Sequence, residues 1–241
     1  GVPVVMKELL DQGLLHGEVM TVTGHTLAEN LADVPTLAQL GEQDVVRSVL
    51  EPLAPADNHI SVLKGNLAPE SCLLKLGGKT LERGEFRGRA RVFENEADAL
   101  KAIRDDSIVA GDVVVVRNVG PVGGPGMPEM VMLTIQLQGR GLGTDVALIT
   151  DGRFSGVSHG ILIGHISPEA ALGGPLAAVR DGDNIVINPE ARTLDVELSE
   201  SELQQRMAAW QQPDVLEGLR PGSVRHKFVR LVSSAHKGCV Q

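Results

Sequence analysis

Residues Gly120–Met130 read GPVGGPGMPEM, and Asp145–Gly156, one helix-like run later, read DVALITDGRFSG. Glycines let the backbone take conformations closed to other residues and approach a ligand closely. The first stretch delivers an acid, Glu129, among apolar neighbours. In the second, a short apolar strand, Val146–Thr150, runs straight into Asp151-Gly152-Arg153-Phe154-Ser155-Gly156. Polar residues at a strand end, flanked by glycines, are where active sites tend to sit. About one helix and one strand separate the two stretches, a spacing that lets them converge in space.

Outward from this centre the texture is that of short β-runs interrupted by helical patterns. Ile60–Leu63, Cys72–Leu76, Gly88–Phe93, Val113–Arg117, Ile161–Ile166, Asn184–Ile187 and Thr193–Leu198 join Val146–Thr150 as predicted strands. Helices are predicted over Glu96–Ile103, over Pro128–Gln138 with proline at a favoured first-turn position, and over Leu203–Trp210 with Ser199 or Ser201 as N-cap. Before Pro52 and Pro55 the chain reads differently. A helix is expected over Pro3–Leu15, a short strand at Val19–Val22, a helix start near Thr26–Leu31 and a weak helix at Leu40–Leu50. A domain boundary is therefore expected near residue 55. The mixture points to an α/β chain whose larger part is a compact, barrel-like β/β/α domain rather than a doubly wound sheet. No Gly-x-Gly-x-x-Gly opens a helix and no Gly-Lys-Ser/Thr is present, so a nucleotide site is not expected.

The composition narrows the function classes. The 241 residues carry a net charge of −9, which disfavours nucleic acid or an anionic membrane as partner. The basic patch Arg83–Arg91 is short and interrupted by Glu85. Aromatic residues are 2% of the chain, too few for a base-stacking surface. Cys72 and Cys239 form no Cys-x-x-Cys pair, and none of the seven histidines has a partner four residues on, so neither a disulfide framework nor a zinc site is expected. No apolar run approaches the roughly 18 residues of a membrane span, and Gly1–Lys7 enters a helical pattern rather than a signal peptide. The cytoplasm is the expected compartment. A start on glycine rather than methionine suggests a fragment or a processed chain.

Taken as residues alone, the candidates have two readings each. Glu129 is either a first-turn acid favoured by the helix dipole or an oxygen ligand for a hard cation such as Mg²⁺. Ser155 is either a turn serine bonded to its own backbone or a catalytic hydroxyl; Gly-x-Ser-x-Gly is absent, so it is no nucleophile elbow. Asp151 and Arg153 suit a structural salt bridge as well as a substrate contact. His165 reads as a core or edge histidine. The hydroxyl-rich tail Ser233–Gly238 suits a cap or an anion site.

Together the motifs resemble the dihydroxy-acid dehydratase and phosphogluconate dehydratase family. The match is carried in order by GVPVVMKELL at Gly1–Leu10, TVTG at Thr21–Gly24, LKGNLAPE at Leu63–Glu70, ARVF at Ala90–Phe93, GGPGMPEM at Gly123–Met130, TDGRFSG at Thr150–Gly156, GHISPEA at Gly164–Ala170 and LVSSA at Leu231–Ala235. The resemblance is to the C-terminal part of such an enzyme. It implies that residues 1–54 are the helical end of a large N-terminal, cluster-binding domain. It implies that residues 55–241 are a swivelling β/β/α domain similar to the small domain of aconitase-like enzymes.

The family converts 2,3-dihydroxy acids to 2-keto acids with an iron–sulfur cluster and Mg²⁺. By the resemblance, Glu129 matches a Mg²⁺ ligand and Ser155 matches the serine that takes the C2 proton. Arg153, Gly156 and Ser233 are candidates for lining the same cleft. The cluster ligands belong to the family's N-terminal domain and the cluster type, 2Fe–2S or 4Fe–4S, stays open. The chain alone is therefore expected to be inactive and to bind no cluster. The implied partners are a small hydroxy acid, the chain's own N-terminal domain and a second copy in a homodimer. The wording TDGRFSG leans toward 2,3-dihydroxyisovalerate and branched-chain amino acid biosynthesis. The alternatives are an aldonate or 6-phosphogluconate dehydratase, and a stand-alone swivel domain that binds a small acid without chemistry.

Overall fold

The computed structural model describes residues 1–53, 59–76 and 84–241. The boundary expected near residue 55, and Arg83, lie outside the described residues. Two compact units are present, Gly1–Ala56 and Asp57–Gln241.

The first unit is helical: α1 (Val2–Asp11), α2 (Leu27–Leu31) and α3 (Leu37–Leu40). Thr26 opens α2 with a reciprocal cap, its hydroxyl accepting the Glu29 N–H while the Glu29 carboxylate accepts the Thr26 N–H. Three expectations need correction here. α1 ends at Asp11 rather than Leu15, and Gly13 follows with φ +72. The strand expected at Val19–Val22 reduces to one bridge, Met20 to Thr26. There the Thr21 hydroxyl donates to the His25 carbonyl and closes a turn. The helix expected at Leu40–Leu50 is replaced by bends and turns. Gly41 leaves α3 at φ +70, and the Gln43 side-chain oxygen accepts the N–H groups of Val45 and Val46 that a helix would have used.

In the second unit eight strands form one sheet among the described residues. They are β1 (Ile60–Leu63), β2 (Ser71–Leu76), β3 (Phe86–Phe93), β4 (Asp112–Val116), β5 (Ala147–Thr150), β6 (Ile161–Ser167), β7 (Asn184–Asn188) and β8 (Thr193–Val196). Their order is β1-β2-β6-β5-β4-β3-β7-β8. β3, β4, β5 and β6 run parallel, and the outer pairings are antiparallel. All eight predicted strands are therefore present, and the barrel-like expectation holds. Helix α4 (Glu96–Arg104) crosses from β3 to β4 and α5 (Val131–Gly139) from β4 to β5. Farther on, α6 (Glu200–Ala208) is capped by Ser199, and α7 (Val224–Leu231) is capped by Ser223.

Burial follows the two-residue alternation of strands. Val113, Val115, Ala147, Ile149, Ile161 and Ile163 point into the barrel with Ile185, Ile187 and Leu194. Val114, Val116, Leu148 and Leu162 point outward against Ala99 and Ile103 of α4 and Leu133 and Leu137 of α5. β4 is buried on both faces, which is why Val113–Val116 reads as an unbroken valine run.

The sheet's two edges meet just beyond β1. The Leu194 N–H donates to the Lys64 carbonyl at 2.8 Å, and the Lys64 N–H to the Arg192 carbonyl at 3.0 Å. Gly65 permits the approach, since a Cβ there would lie 2.1 Å from the Leu194 carbonyl oxygen. The Asn66 side chain then acts as one more strand peptide. Its Oδ1 accepts the Val196 N–H at 2.7 Å and its Nδ2 donates to the Val196 carbonyl at 2.8 Å. Replacing Asn66 with alanine leaves the Val196 N–H unpaired at the seam and takes one of two donors from the Val196 carbonyl, which keeps the Leu198 N–H, a loss of about 2 kcal/mol. For a domain of this size that is a Tm lower by roughly 4–8 °C, measurable by calorimetry. An unchanged Tm would mean that the seam does not bear on stability. Among the described residues no helix is long and apolar enough to cross a membrane.

Candidate active site

β4 and β5 are adjacent and parallel, so the segments leaving their C-terminal ends emerge side by side. One is the glycine-rich loop 117–130; the other is 151–160, the crossover from β5 to β6. Open parallel sheets place ligands at such strand ends.

Asp151 ties the two loops to each other. It is fully buried, and its carboxylate accepts the N–H groups of Asn118 at 3.1 Å and Val119 at 3.0 Å on the glycine-loop side. It also accepts the Ala170 N–H at 2.9 Å, beyond β6. Burial pushes this carboxyl above its ordinary range, while the backbone donors favour its charged form. The salt bridge to Arg153 considered from the sequence is not formed, because Asp151 points inward to backbone donors. Arg153 is exposed and its Nε donates to the Met127 carbonyl at 2.6 Å.

Glu169 supports the glycine loop from behind. It is 2% exposed and accepts the N–H groups of Val122 and Gly123 at 3.0 and 2.8 Å. Gly120 makes room for it, since a Cβ there would sit 2.7 Å from a Glu169 carboxylate oxygen. Burial raises the Glu169 carboxyl from the ordinary 4.5 to about 7, and Asp151 adds to the rise. An acid whose folded-state pKa is raised stabilises the fold fully below about pH 4.5 and loses that contribution as pH climbs through about 7. The cost on ionisation is on the order of 3 kcal/mol. Urea unfolding of the wild type should therefore weaken between about pH 5 and about pH 8 by more than that of E169Q. Parallel profiles for the two proteins would remove Glu169 as the cause.

The glycine loop ends in two left-handed residues, Gly126 (φ +92) and Met127 (φ +45). The chain then extends through Pro128 and Glu129, and Glu129 pairs with Arg153 in a parallel bridge. Helix α5 begins only at Val131, not at Pro128 as expected. Glu129 is therefore not a first-turn helical acid. Its half-buried carboxylate turns to the other loop, where Oε1 accepts the Ser155 N–H at 3.1 Å and the Ser158 hydroxyl at 3.4 Å. The second oxygen, Oε2, takes no hydrogen bond from the described residues. Among the described residues the Ser155 hydroxyl has no hydrogen-bond partner either, so it does not bond its own backbone as a turn serine would.

Four of the five sequence candidates thus come together: Glu129, Arg153, Ser155 and the adjoining Gly156. Ser233 does not join their hydrogen bonds. Its N–H donates to the Val240 carbonyl and its hydroxyl is buried without a partner. The tail carrying it touches the glycine loop at Cys239, whose sulfur lies 3.7 Å from that of Met127. His165 is a half-buried strand residue at φ +58, and its N–H donates to the Gly152 carbonyl. Burial, then Arg153, lowers its pKa.

Sequence reasoning missed Lys75, Glu169 and Ser158, and left Asp151 without its role. Lys75 Nζ donates to the carbonyls of Ser155, Gly156 and Ser158. Burial lowers its pKa while Glu129 favours its charge. Glu96, at the start of α4, is raised by burial and then by Glu129. No local pattern marks these residues, since their partners are distant in sequence.

Glu129 fits a Mg²⁺ ion as one ligand, a carboxylate with an unused oxygen at a half-exposed position. Mg²⁺ commonly takes one or two carboxylates and completes its shell with water and substrate. Among the described residues no three of His, Cys, Asp or Glu stand together to hold a metal. The cysteines do not fit an iron–sulfur cluster, which needs thiolates. Cys72 is buried inside the barrel with its thiol pushed up to about 12, and burial also raises Cys239.

A family model described as dihydroxy-acid/6-phosphogluconate dehydratase C-terminal matches residues 44–239. Proteins named dihydroxy-acid dehydratase align with the whole chain. That of Methylococcus capsulatus is 52% identical over 240 residues, that of Leptothrix cholodnii 51% and that of Flavobacterium psychrophilum 48%. The chain covers 41%, 41% and 42% of those proteins, about two fifths of their length.

Proposed function

The chain belongs to the dihydroxy-acid/6-phosphogluconate dehydratase family, and on that premise we propose that it supplies the C2-proton base and one Mg²⁺ ligand of a 2,3-dihydroxy-acid hydro-lyase. Ser155 is the base and Glu129 the ligand. Within the longer protein, residues 1–54 close an N-terminal domain and the remainder is the swivelling domain. The working unit is a cytoplasmic homodimer.

One observation carries this reading. Glu129 Oε1 holds the Ser155 N–H at 3.1 Å, while the Ser155 hydroxyl and Glu129 Oε2 take no hydrogen bond from the described residues. The two groups that the chemistry requires are therefore locked to each other, and their reactive atoms are left available. Ser155 Oγ, as its alkoxide, takes the C2 proton as the C2–H electron pair moves toward C3 and the C3 hydroxyl leaves as hydroxide; the proton and the hydroxide together make the water released. The resulting enol tautomerises to the 2-keto acid. A serine hydroxyl is a weak base at neutral pH and needs a cationic, partly dry surrounding that favours its alkoxide. Bound Mg²⁺ would supply positive charge to the substrate carboxylate and C2 oxygen. The Lys75 ammonium adds charge on the other side of the Ser155 peptide. This chain offers no fitting ligands for the iron–sulfur cluster, so departure of the C3 hydroxyl is assigned to no residue here.

The shared name of the relatives supports a dihydroxy acid as substrate; the acid proposed is 2,3-dihydroxyisovalerate, and with it a role in branched-chain amino acid biosynthesis. The test is 2-keto acid formation by the full-length protein, reconstituted anaerobically, with and without Mg²⁺. The substrates are 2,3-dihydroxyisovalerate, gluconate, arabinonate and 6-phosphogluconate. Mg²⁺-dependent turnover of 2,3-dihydroxyisovalerate is expected. Preference for a sugar acid would overturn the substrate, and no turnover of any acid would favour a binding domain without chemistry.

A further inference from the structure

We infer that Lys75 is a positioning residue of this site: its ammonium holds the turn that carries Ser155 and so sets where the Ser155 hydroxyl stands. The inference rests on Ser155 being the base proposed above. Strand register brings Lys75 there. β2 alternates, with Cys72 and Leu74 in the barrel core, so Lys75 lies on the opposite face, paired with Leu162 of β6. The crossover that precedes β6 passes over that face.

Nζ lies 2.7 Å from the Ser155 carbonyl oxygen and 2.6 Å from those of Gly156 and Ser158. An ammonium has three N–H donors and no acceptor, so all three donors are used on one turn. The described backbone bond within that turn is weaker, the Ser158 N–H to the Ser155 carbonyl at 3.3 Å. Charge-assisted bonds are roughly twice as strong as neutral ones. The turn's shape therefore depends on Lys75 more than on its own backbone.

The arrangement is two-sided. Glu129 takes the Ser155 N–H and Lys75 donates to the Ser155 carbonyl, so opposite charges pin the peptide groups on both sides of the Ser155 Cα. Rotation about χ1 is the main freedom left to the hydroxyl. A displacement of about 1 Å at a reacting group can cost on the order of 100-fold in rate. Methionine matches the length of lysine without donors. Arginine keeps the charge, but its planar fork does not converge on three carbonyls of one turn.

The test compares full-length, cofactor-loaded wild type with K75M, K75R and S155A. In K75M, kcat should fall about 100-fold with KM within about threefold and metal content unchanged, in a protein that stays folded at the assay temperature. Amide hydrogen exchange should quicken at residues 155–158 and stay unchanged in β5 and β6. K75R should fold and lose about tenfold in kcat. A K75M protein with wild-type kcat overturns the inference, as does a loss of kcat that merely tracks a global fall in Tm. Should K75M not fold, wild-type kcat in K75R overturns it equally. S155A separates the two readings. An active S155A removes the base assignment itself, whereas an inactive S155A beside a fully active K75M removes Lys75 alone.

Discussion

If Ser155 is the proposed base, replacing it with alanine is expected to lower 2-keto acid formation by the full-length protein about 10²–10⁴-fold, the contribution of a positioned acid–base group, with fold and any Mg²⁺ affinity unchanged. The selectivity of this loss follows from which atoms do what. Both interactions that secure Ser155 use its backbone, the N–H on Glu129 and the carbonyl on Lys75. Alanine keeps both and removes only the unengaged hydroxyl. The variant therefore lowers kcat with KM little changed, and its urea midpoint matches that of the wild type. Undiminished turnover would leave the reaction class standing and remove Ser155 as its base. A loss confined to KM would make Ser155 a binding group instead.

The second large effect is expected at Asp151, and it falls on the architecture of the site rather than on its chemistry. Asp151→Ala strips the acceptor from three backbone N–H groups at once, those of Asn118, Val119 and Ala170. An unpaired buried donor costs about 1–3 kcal/mol. Water entering the vacated space offsets part of the sum, so the net loss is roughly 3 kcal/mol or more, which lowers Tm by about 10 °C. Both loops should loosen together, because this carboxylate is bonded to one and belongs to the other. Hydrogen exchange at Asn118 and Val119 should then rise along with exchange in residues 151–158. Loosening of one loop alone would show that Asp151 does not couple them.

Much of this molecule was legible before its structure. The eight strands were readable because a strand's apolar alternation, or the unbroken run of a strand buried on both faces, is a local property. Val113–Val116 and Ala147–Thr150 are examples. The helices that misread are equally instructive. Leu40–Leu50 reads as weakly helical, but Gly41 and the Gln43 side chain offer the backbone other partners. Pro128 looked like a first-turn proline, but the pairing of Glu129 with Arg153 keeps the chain extended until Val131. Glu129 and Ser155 were singled out through their motifs, and the structure adds that one accepts the other's N–H.

What the amino-acid order alone determined is what depends on near neighbours: where strands begin and end, which glycines can turn, which loops carry polar groups at strand ends. Tertiary structure decided which distant groups meet. Lys75 reaches Ser155 across 80 positions, Glu169 reaches Val122 across 47 and Asp151 reaches Asn118 across 33. Asn66 seals the barrel against Val196 across 130. Backbone preference and side-chain periodicity act over a few residues, so they specify elements. The partner of a buried charge is instead set by strand order. Here β2-β6-β5-β4 lays a lysine, a serine loop and a glycine loop side by side.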